Sequence, residues 1–260
     1  MVTRIVDAGW PVVLWARRPE ALEPFRGPAV TIADSPAALG AEADVIGICV
    51  WTDDDVERVV AGEGGVLDGC RPGTVVAIHS TVLPATSCAM AELAAKTGVT
   101  VLDAPVSGGR RAAFGGQLVV AVGGDAAAFE RCQPVFKAFA DQTVLVGDVG
   151  AGQVAKLLNN ALLAANLTVA DDALSLGESF GLDAAVLSDF LRAGSGRSYA
   201  LDVALASRSS AATRQAALPT LEKDVESLAS QPGSDRDTSA LLRDAAEALR
   251  RLRHPPPNWQ

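Results

Sequence analysis

The chain is poor in lysine, histidine, cysteine and aromatic side chains. Its two histidines, His79 and His254, are too few and too distant for a histidine metal site or a Ser-His-Asp triad. The four cysteines, Cys49, Cys70, Cys88 and Cys132, show no C-x-x-C spacing. That argues against metal or disulfide use and for reduced thiols. The opening residues have no charged n-region and apolar h-region of a signal peptide, so the expected location is the cytoplasm. A net charge of −9 argues against nucleic acid or an anionic membrane surface as partner. The one long apolar stretch, Gly152 to Leu176, contains Lys156, Asn159, Asn160, Asn166, Asp171 and Asp172, which makes it too polar for a membrane span.

What is present is a filled α/β chain: 260 residues, 49% of them hydrophobic, enough for one large or two modest domains. Short apolar runs at Val12 to Trp15, Val45 to Val50, Thr74 to His79, Val99 to Leu102, Leu118 to Val122 and Thr143 to Val146 read as strands. Helical segments such as Thr86 to Lys96 and Ala126 to Ala138 lie between several of them. This alternation predicts a largely parallel sheet covered on both faces. After Gly147 the strand signal ends and the chain reads as helices: the one that carries Lys156, a second from Asp183 to Ala193, and others reaching about Arg253. Gly147, Gly150 and Gly152 mark the change, so the expected domains are 1–149 and 150–253. Residues 254–260 form a tail that includes Pro255, Pro256 and Pro257. The arginines from Arg243 to Arg253 read as a solvated helix face, while Arg17 with Arg18 and Arg110 with Arg111 could each meet a small anion.

In an open α/β sheet, ligands collect beyond the carboxyl ends of the strands. Three segments fall there. Ser80, Thr81 and Pro84 follow one strand, where the hydroxyls suit a cofactor or a routine helix entry. Ser107, Gly108 and Gly109 follow another; paired glycines expose backbone N–H groups and the serine adds a hydroxyl, a reasonable carboxylate cradle. Arg17 and Arg18 stand where a dinucleotide-binding fold discriminates its ribose. Arginines without an acid there favour NADP over NAD.

Lys156 is one of only four lysines against eighteen arginines, and it sits among Val154, Ala155, Leu157 and Leu158. An ammonium there can carry a proton, whereas an arginine stays charged. Asn160, four residues on, shares its helix face. The plain alternative is a lysine snorkelling from a buried helix, with Asn159 and Asn160 as caps or bridges.

DAPVSGG at 103–109, the following Ala113 to Gly116 and GGD at 123–125, then GAGQVAKLLNN at 150–160, resemble the 3-hydroxyisobutyrate dehydrogenase family of β-hydroxyacid dehydrogenases, from the first residue to about Ala229. The resemblance implies a Rossmann-type domain joined by a long helix to an all-helical domain, in a homodimer or homotetramer. It implies hydride exchange between NADP, or NAD, and a small 3-hydroxy acid or its semialdehyde. Lys156 would handle the hydroxyl or carbonyl proton, Ser107, Gly108 and Gly109 the substrate carboxylate, and Asn159 and Asn160 the substrate. Val50, Trp51, Thr81 and Lys223 would line the cofactor, although proline is commoner than Trp51 at its position.

Two features depart from the family pattern. Residues Met1 to Gly9 resemble the helix after the family's first strand and GxGxMGxP-like turn, so roughly 15 residues of strand and pyrophosphate loop are expected to be missing. The strands at Val12 and Val45 would then face a gap or pair directly. After Asp224, Gln231 to Ser234 interrupt the expected helix and leave one wall of the substrate pocket in question. An imine reductase, a reductase of other semialdehydes, or a truncated non-catalytic binding protein are the alternative readings.

Overall fold

The computed structural model describes residues 1–234 and 239–255. Of the expected tail, residues 256–260 lie outside the described residues. The chain divides into two compact units, Met1–Lys156 and Leu157–Gln260.

In the first unit, α1 (Val2–Asp7) leads into β1 (Val12–Leu14), which pairs in parallel with β2 (Val30–Ile32) in a sheet of their own. The main sheet has the order β3 (Val45–Ile48), β4 (Val75–Ile78), β5 (Thr100–Asp103), β7 (Leu118–Gly123), β6 (Val106–Ser107), with β8 (Ala140–Gly147) also paired to β7. Strands β3, β4 and β5 run parallel, in the register Val45, Val75, Thr100. The pairings of β7 with β5 and β6 are antiparallel. Thus β1 and β3 do not pair directly: each is bonded on one side only. Both β2 and β6 went unread in the sequence because each is only two or three residues long.

Alternate residues of the central strands feed two different cores, as a doubly covered sheet requires. Val75 and Ala77 pack with Phe129, Cys132, Phe136 and Phe139 from and beyond α7 (Ala126–Phe136), and with Met1, which precedes α1, and Ile5 within it. Val76 and Ile78 pack with Val56 and Val60 of α3 (Asp53–Ala61) and Met90 and Ala94 of α5 (Pro84–Ala95). The helix starts follow capping chemistry: Ser35, Thr52 and Asp125 each accept an N–H from three residues on, for α2 (Pro36–Glu42), α3 and α7. The unit also holds the short helices α4 (Val66–Gly69) and α6 (Gly109–Gly115) and a 3-10 helix at Pro19–Phe25.

Among the described residues the second unit is helical: α8 (Ala151–Ser179) from Leu157 on, α9 (Ala184–Ala193), α10 (Tyr199–Ser209), α11 (Ala211–Ala229) and α12 (Ala240–Arg253). Leu157, Ala161, Ala164 and Leu167 of α8 share one core with Ala204, Leu221, Val225, Leu242, Ala245 and Leu252. Beside it, buried Arg208 donates to Asp171 at 2.6 Å and to Glu178 at 2.9 Å. The interruption after α11 is present, with Gly233 at φ +83°. The arginines of α12 are not uniformly solvated. Arg250 and Arg253 are exposed, but half-buried Arg251 pairs with Glu247 and Asp172.

Candidate active site

The carboxyl ends of β3, β4 and β5 are tied together by side chains. Ser80, after β4, accepts the Val50 N–H after β3 at 2.8 Å, so its hydroxyl is committed to the backbone. Fully buried Gln153, in the first turn of α8, accepts the Val82 N–H at 3.1 Å and donates to the Ser80 carbonyl at 2.9 Å. Asp103, the last residue of β5 and also fully buried, accepts the N–H groups of Gly150 and Gln153, both at 2.7 Å. Burial pushes the Asp103 carboxyl up from its ordinary pKa, and the backbone N–H groups at the start of α8 pull the other way.

Glycine is required around that carboxylate. A Cβ on Gly123 would come within 2.3 Å of one Asp103 oxygen, and one on Gly152 within 2.7 Å of the other. The first turn of α8 therefore lies directly on the end of β5. Lys156 follows Gln153 by three residues on the same helix and is half-buried. Thr81, half-buried, is held between Ser80 and Val82, the two backbone partners of Gln153.

Ser107 ends β6 and is half-buried; Gly108 (φ +119°) and Gly109 (φ +69°) turn the chain into α6. Val50 is half-buried and Trp51 exposed beyond β3. Arg17 and Arg18 are exposed beyond β1, and the Arg17 guanidinium donates to Asp55 of α3 at 3.0 Å. The Thr52 side chain, then Arg17 and Arg58, hold the Asp55 carboxyl below its usual range against the opposing effect of burial.

In the second unit, Asn160 and Lys223 meet one carboxylate. Asn160 donates to fully buried Asp224 at 2.5 Å, and the Lys223 ammonium lies 3.3 Å from the other Asp224 oxygen. Exposed Asn159 donates to Asn160 at 3.0 Å. One residue assigned to the substrate and one assigned to the cofactor are thus joined through Asp224.

A family model described as the NAD binding domain of 6-phosphogluconate dehydrogenase matches residues 1–147, and one described as the NAD-binding domain of NADP-dependent 3-hydroxyisobutyrate dehydrogenase matches residues 150–252. The chain belongs to the 3-hydroxyisobutyrate dehydrogenase family. The second match runs past Ala229 through α12, further than the motifs reached. Similar family members include 2-(hydroxymethyl)glutarate dehydrogenase of Eubacterium barkeri, 40% identical over 63% of this chain and 54% of that protein. The NAD-dependent L-serine dehydrogenase of Pseudomonas aeruginosa is 35% identical over 78% of this chain and 68% of its own length. The match thus spans about half to two-thirds of the length of these relatives. Among solved structures, the Mycobacterium tuberculosis 3-hydroxyisobutyrate dehydrogenase with L-serine is similar at a TM-score of 0.79 and 27% identity, covering 100% of this chain and 91% of that one.

The family implies a nicotinamide nucleotide, and this member's residues fit part of it. Gly47 and Cys49 are exposed along β3, so the sheet is open near its carboxyl end, where Val50, Trp51 and Thr81 offer contacts.

The motifs pointed to Lys156, Ser107 and Asn160 but not to the groups that hold their elements. Asp103 lies within the DAPVSGG motif and Gln153 within GAGQVAKLLNN. A buried acid at a strand end and a glutamine in an apolar first turn were the available signals. Asp224, next to Lys223, gave none.

Proposed function

We propose that the protein is an NADP-preferring oxidoreductase acting on a small 3-hydroxy acid or its semialdehyde, in the 3-hydroxyisobutyrate dehydrogenase manner. In this reading residues 1–149 serve the cofactor and 150–253 the substrate and self-association, in a homodimer or homotetramer in the cytoplasm. When bound, the nicotinamide exchanges a hydride with the carbon that bears the substrate oxygen. Lys156 Nζ moves the proton at that oxygen. The Ser107 hydroxyl and the Gly108 and Gly109 N–H groups hold the carboxylate, and Asn159 and Asn160 orient the substrate. Val50, Trp51, Thr81 and Lys223 line the cofactor.

The observation that carries this reading is the attachment of the first turn of α8 to the ends of β4 and β5 by Gln153 and Asp103. It fixes the helix that bears Lys156 against the strand ends where ligands collect in such sheets. Arg17 and Arg18 support NADP over NAD. The Arg17–Asp55 pair tempers that preference, because a 2′-phosphate must compete with a carboxylate already in place.

The test is turnover with NADPH and NADH over a panel of 3-hydroxy acids and semialdehydes, for the chain and for Lys156→Ala. Removing a proton-transfer group lowers kcat by about 10²- to 10⁴-fold. Near-normal kcat in a folded Lys156→Ala protein refutes the assignment.

A further inference from the structure

Arg110 and Arg111 directly follow the Ser107, Gly108 and Gly109 cradle, and the proposed reaction gives them no task. They are the second and third residues of α6. Ala112 and Ala113 of that helix pack against the core that holds Leu118 and Val120. At about 3.6 residues per turn the other positions face away from that core, and Arg110, Arg111 and Phe114 are all exposed there.

The protein does not balance this pair of charges. Five of the nine arginines in the first unit, Arg4, Arg17, Arg26, Arg58 and Arg71, stand in ion pairs with Asp or Glu. Among the described residues neither Arg110 nor Arg111 does. From Ala104 to Gly124 the sequence contains no acid, and Asp103, just before that run, is buried and accepts from Gly150 and Gln153. Two adjacent guanidinium groups are thus a local excess of positive charge on a chain of net charge −9, and an anion between them relieves their repulsion.

Phe114 distinguishes the pair from an ordinary solvated face. At 65% exposed it is the most exposed large apolar side chain described in the first unit, so packing does not account for it. The Arg110 guanidinium carbon lies over its ring, 5.5 Å from the centre. A guanidinium held over a ring keeps N–H donors free for a bidentate anion. The cradle is set against the same helix: a Cβ on Gly108 would come within 2.6 Å of the Ala112 Cβ, so glycine is needed for so close an approach. A Cβ on Gly109, at φ +69°, would meet nothing within 4 Å, so the cradle is open on that side to a ligand larger than one carboxylate.

We infer that Arg110 and Arg111 form a second anion subsite beside the carboxylate cradle. The substrate class is then a 3-hydroxy acid that carries a second anionic group on its carbon chain, a carboxylate or a phosphorus oxyanion. This rests on the proposed role of Ser107, Gly108 and Gly109, and it leaves the hydride and proton steps as they are.

The experiment is calorimetric titration of the full chain, at low ionic strength and with NADP present, with 3-hydroxyglutarate, its monoamide and 3-hydroxy-4-phosphonobutanoate. The three share one frame and differ at one end: a carboxylate, a neutral isostere, a phosphonate. The unmodified chain is expected to bind at least one of the two charged forms about tenfold or more tighter than the monoamide, as charge-assisted bonds to a guanidinium provide. In Arg110→Gln with Arg111→Gln that ratio is expected to fall to about one. Arg131→Gln, which removes an exposed charge elsewhere in the unit, is expected to keep it.

Equal affinities in the unmodified chain overturn the subsite, as does a tenfold ratio that survives the double variant or one that Arg131→Gln abolishes equally. Should the double variant fail to fold, the two single variants decide: each is expected to lower the ratio, and two unchanged ratios overturn the subsite. Either charged form preferred over the monoamide upholds it, and the tighter of the two names the class of anion. Binding of the monoamide reports on the cradle alone, so a chain that binds none of the three overturns cradle and subsite together. The full preference without turnover of any hydroxy acid refutes the reaction and leaves the subsite standing.

Discussion

Acid should destabilise the first unit through His79. The ring is 7% exposed at the end of β4; its Nδ1 lies 2.7 Å from the Ala104 carbonyl, which fixes the Nδ1–H tautomer. It packs edge-on against Phe136 and Phe139, at 5.4 and 5.5 Å between ring centres. Burial in this apolar setting drives the pKa from 6.5 down to about 4, although the bond to Ala104 favours the proton. The unfolded chain therefore takes up a proton near pH 6.5 that the folded chain refuses until about pH 4. The stability tied to the neutral ring is fully present above pH 6.5 and is lost as the pH falls through that window. The gap corresponds to about 3 kcal/mol in full, of which about 2.5 kcal/mol is spent by pH 4.5. Urea unfolding at pH 7 and pH 4.5, followed by tryptophan fluorescence, reports it, because Trp10, Trp15 and Trp51 lie in this unit. His79→Gln provides the control, since carboxylate effects common to both proteins cancel. The unmodified chain should lose about 2.5 kcal/mol more than His79→Gln between the two pH values. Equal losses would refute the argument.

Three further outcomes follow from the site and the helical unit. Asp103→Ala leaves two buried N–H groups without their acceptor and should cost about 3 kcal/mol in denaturant unfolding, with Asp103→Asn intermediate; a loss under about 1 kcal/mol contradicts the network. Arg208→Met removes the 2.6 Å partner of the buried Asp171 carboxylate and leaves the more distant Arg251, at 3.7 Å, so it should cost about 3 kcal/mol, largely recovered in Arg208→Met with Asp171→Leu; a double variant as unstable as the single one counts against it. Asp224→Asn removes the anion shared by Asn160 and Lys223 and should raise KM for substrate and nucleotide about tenfold with little change in unfolding temperature, as steady-state kinetics and a thermal melt would show.

The parallel core was legible because β3, β4 and β5 are continuous apolar runs of β-branched residues, a pattern imposed by burial on both faces. Ser107, Gly108, Gly109 and Lys156 were legible for a different reason: small or charged residues stand out against apolar surroundings. The pairing of β1 with β2 was not, since three residues such as Val30 to Ile32 carry too short a period to register. Gln153 and Asp224 were hidden because their importance lies in partners far along the chain: Gln153 is 71 residues from Val82, and Asp224 is 64 from Asn160. No local spacing encodes such a contact. The Ser80 hydroxyl stayed open between a cofactor and a helix entry, because a serine beyond a strand looks the same whether it meets a ligand or, as here, the backbone N–H of Val50.

The separate β1–β2 ribbon bears on cooperativity. Two paired strands on their own are marginal in water, and this pair shares no ladder with the main sheet. The ribbon is therefore the natural place for sub-global opening, well below the free energy needed to unfold β3, β4 and β5. Arg17 and Arg18 emerge from its end. An anion gripped there would tighten the ribbon as it binds, so the measured affinity would include the work of closing it, and a second ligand arriving afterwards would find that work already done.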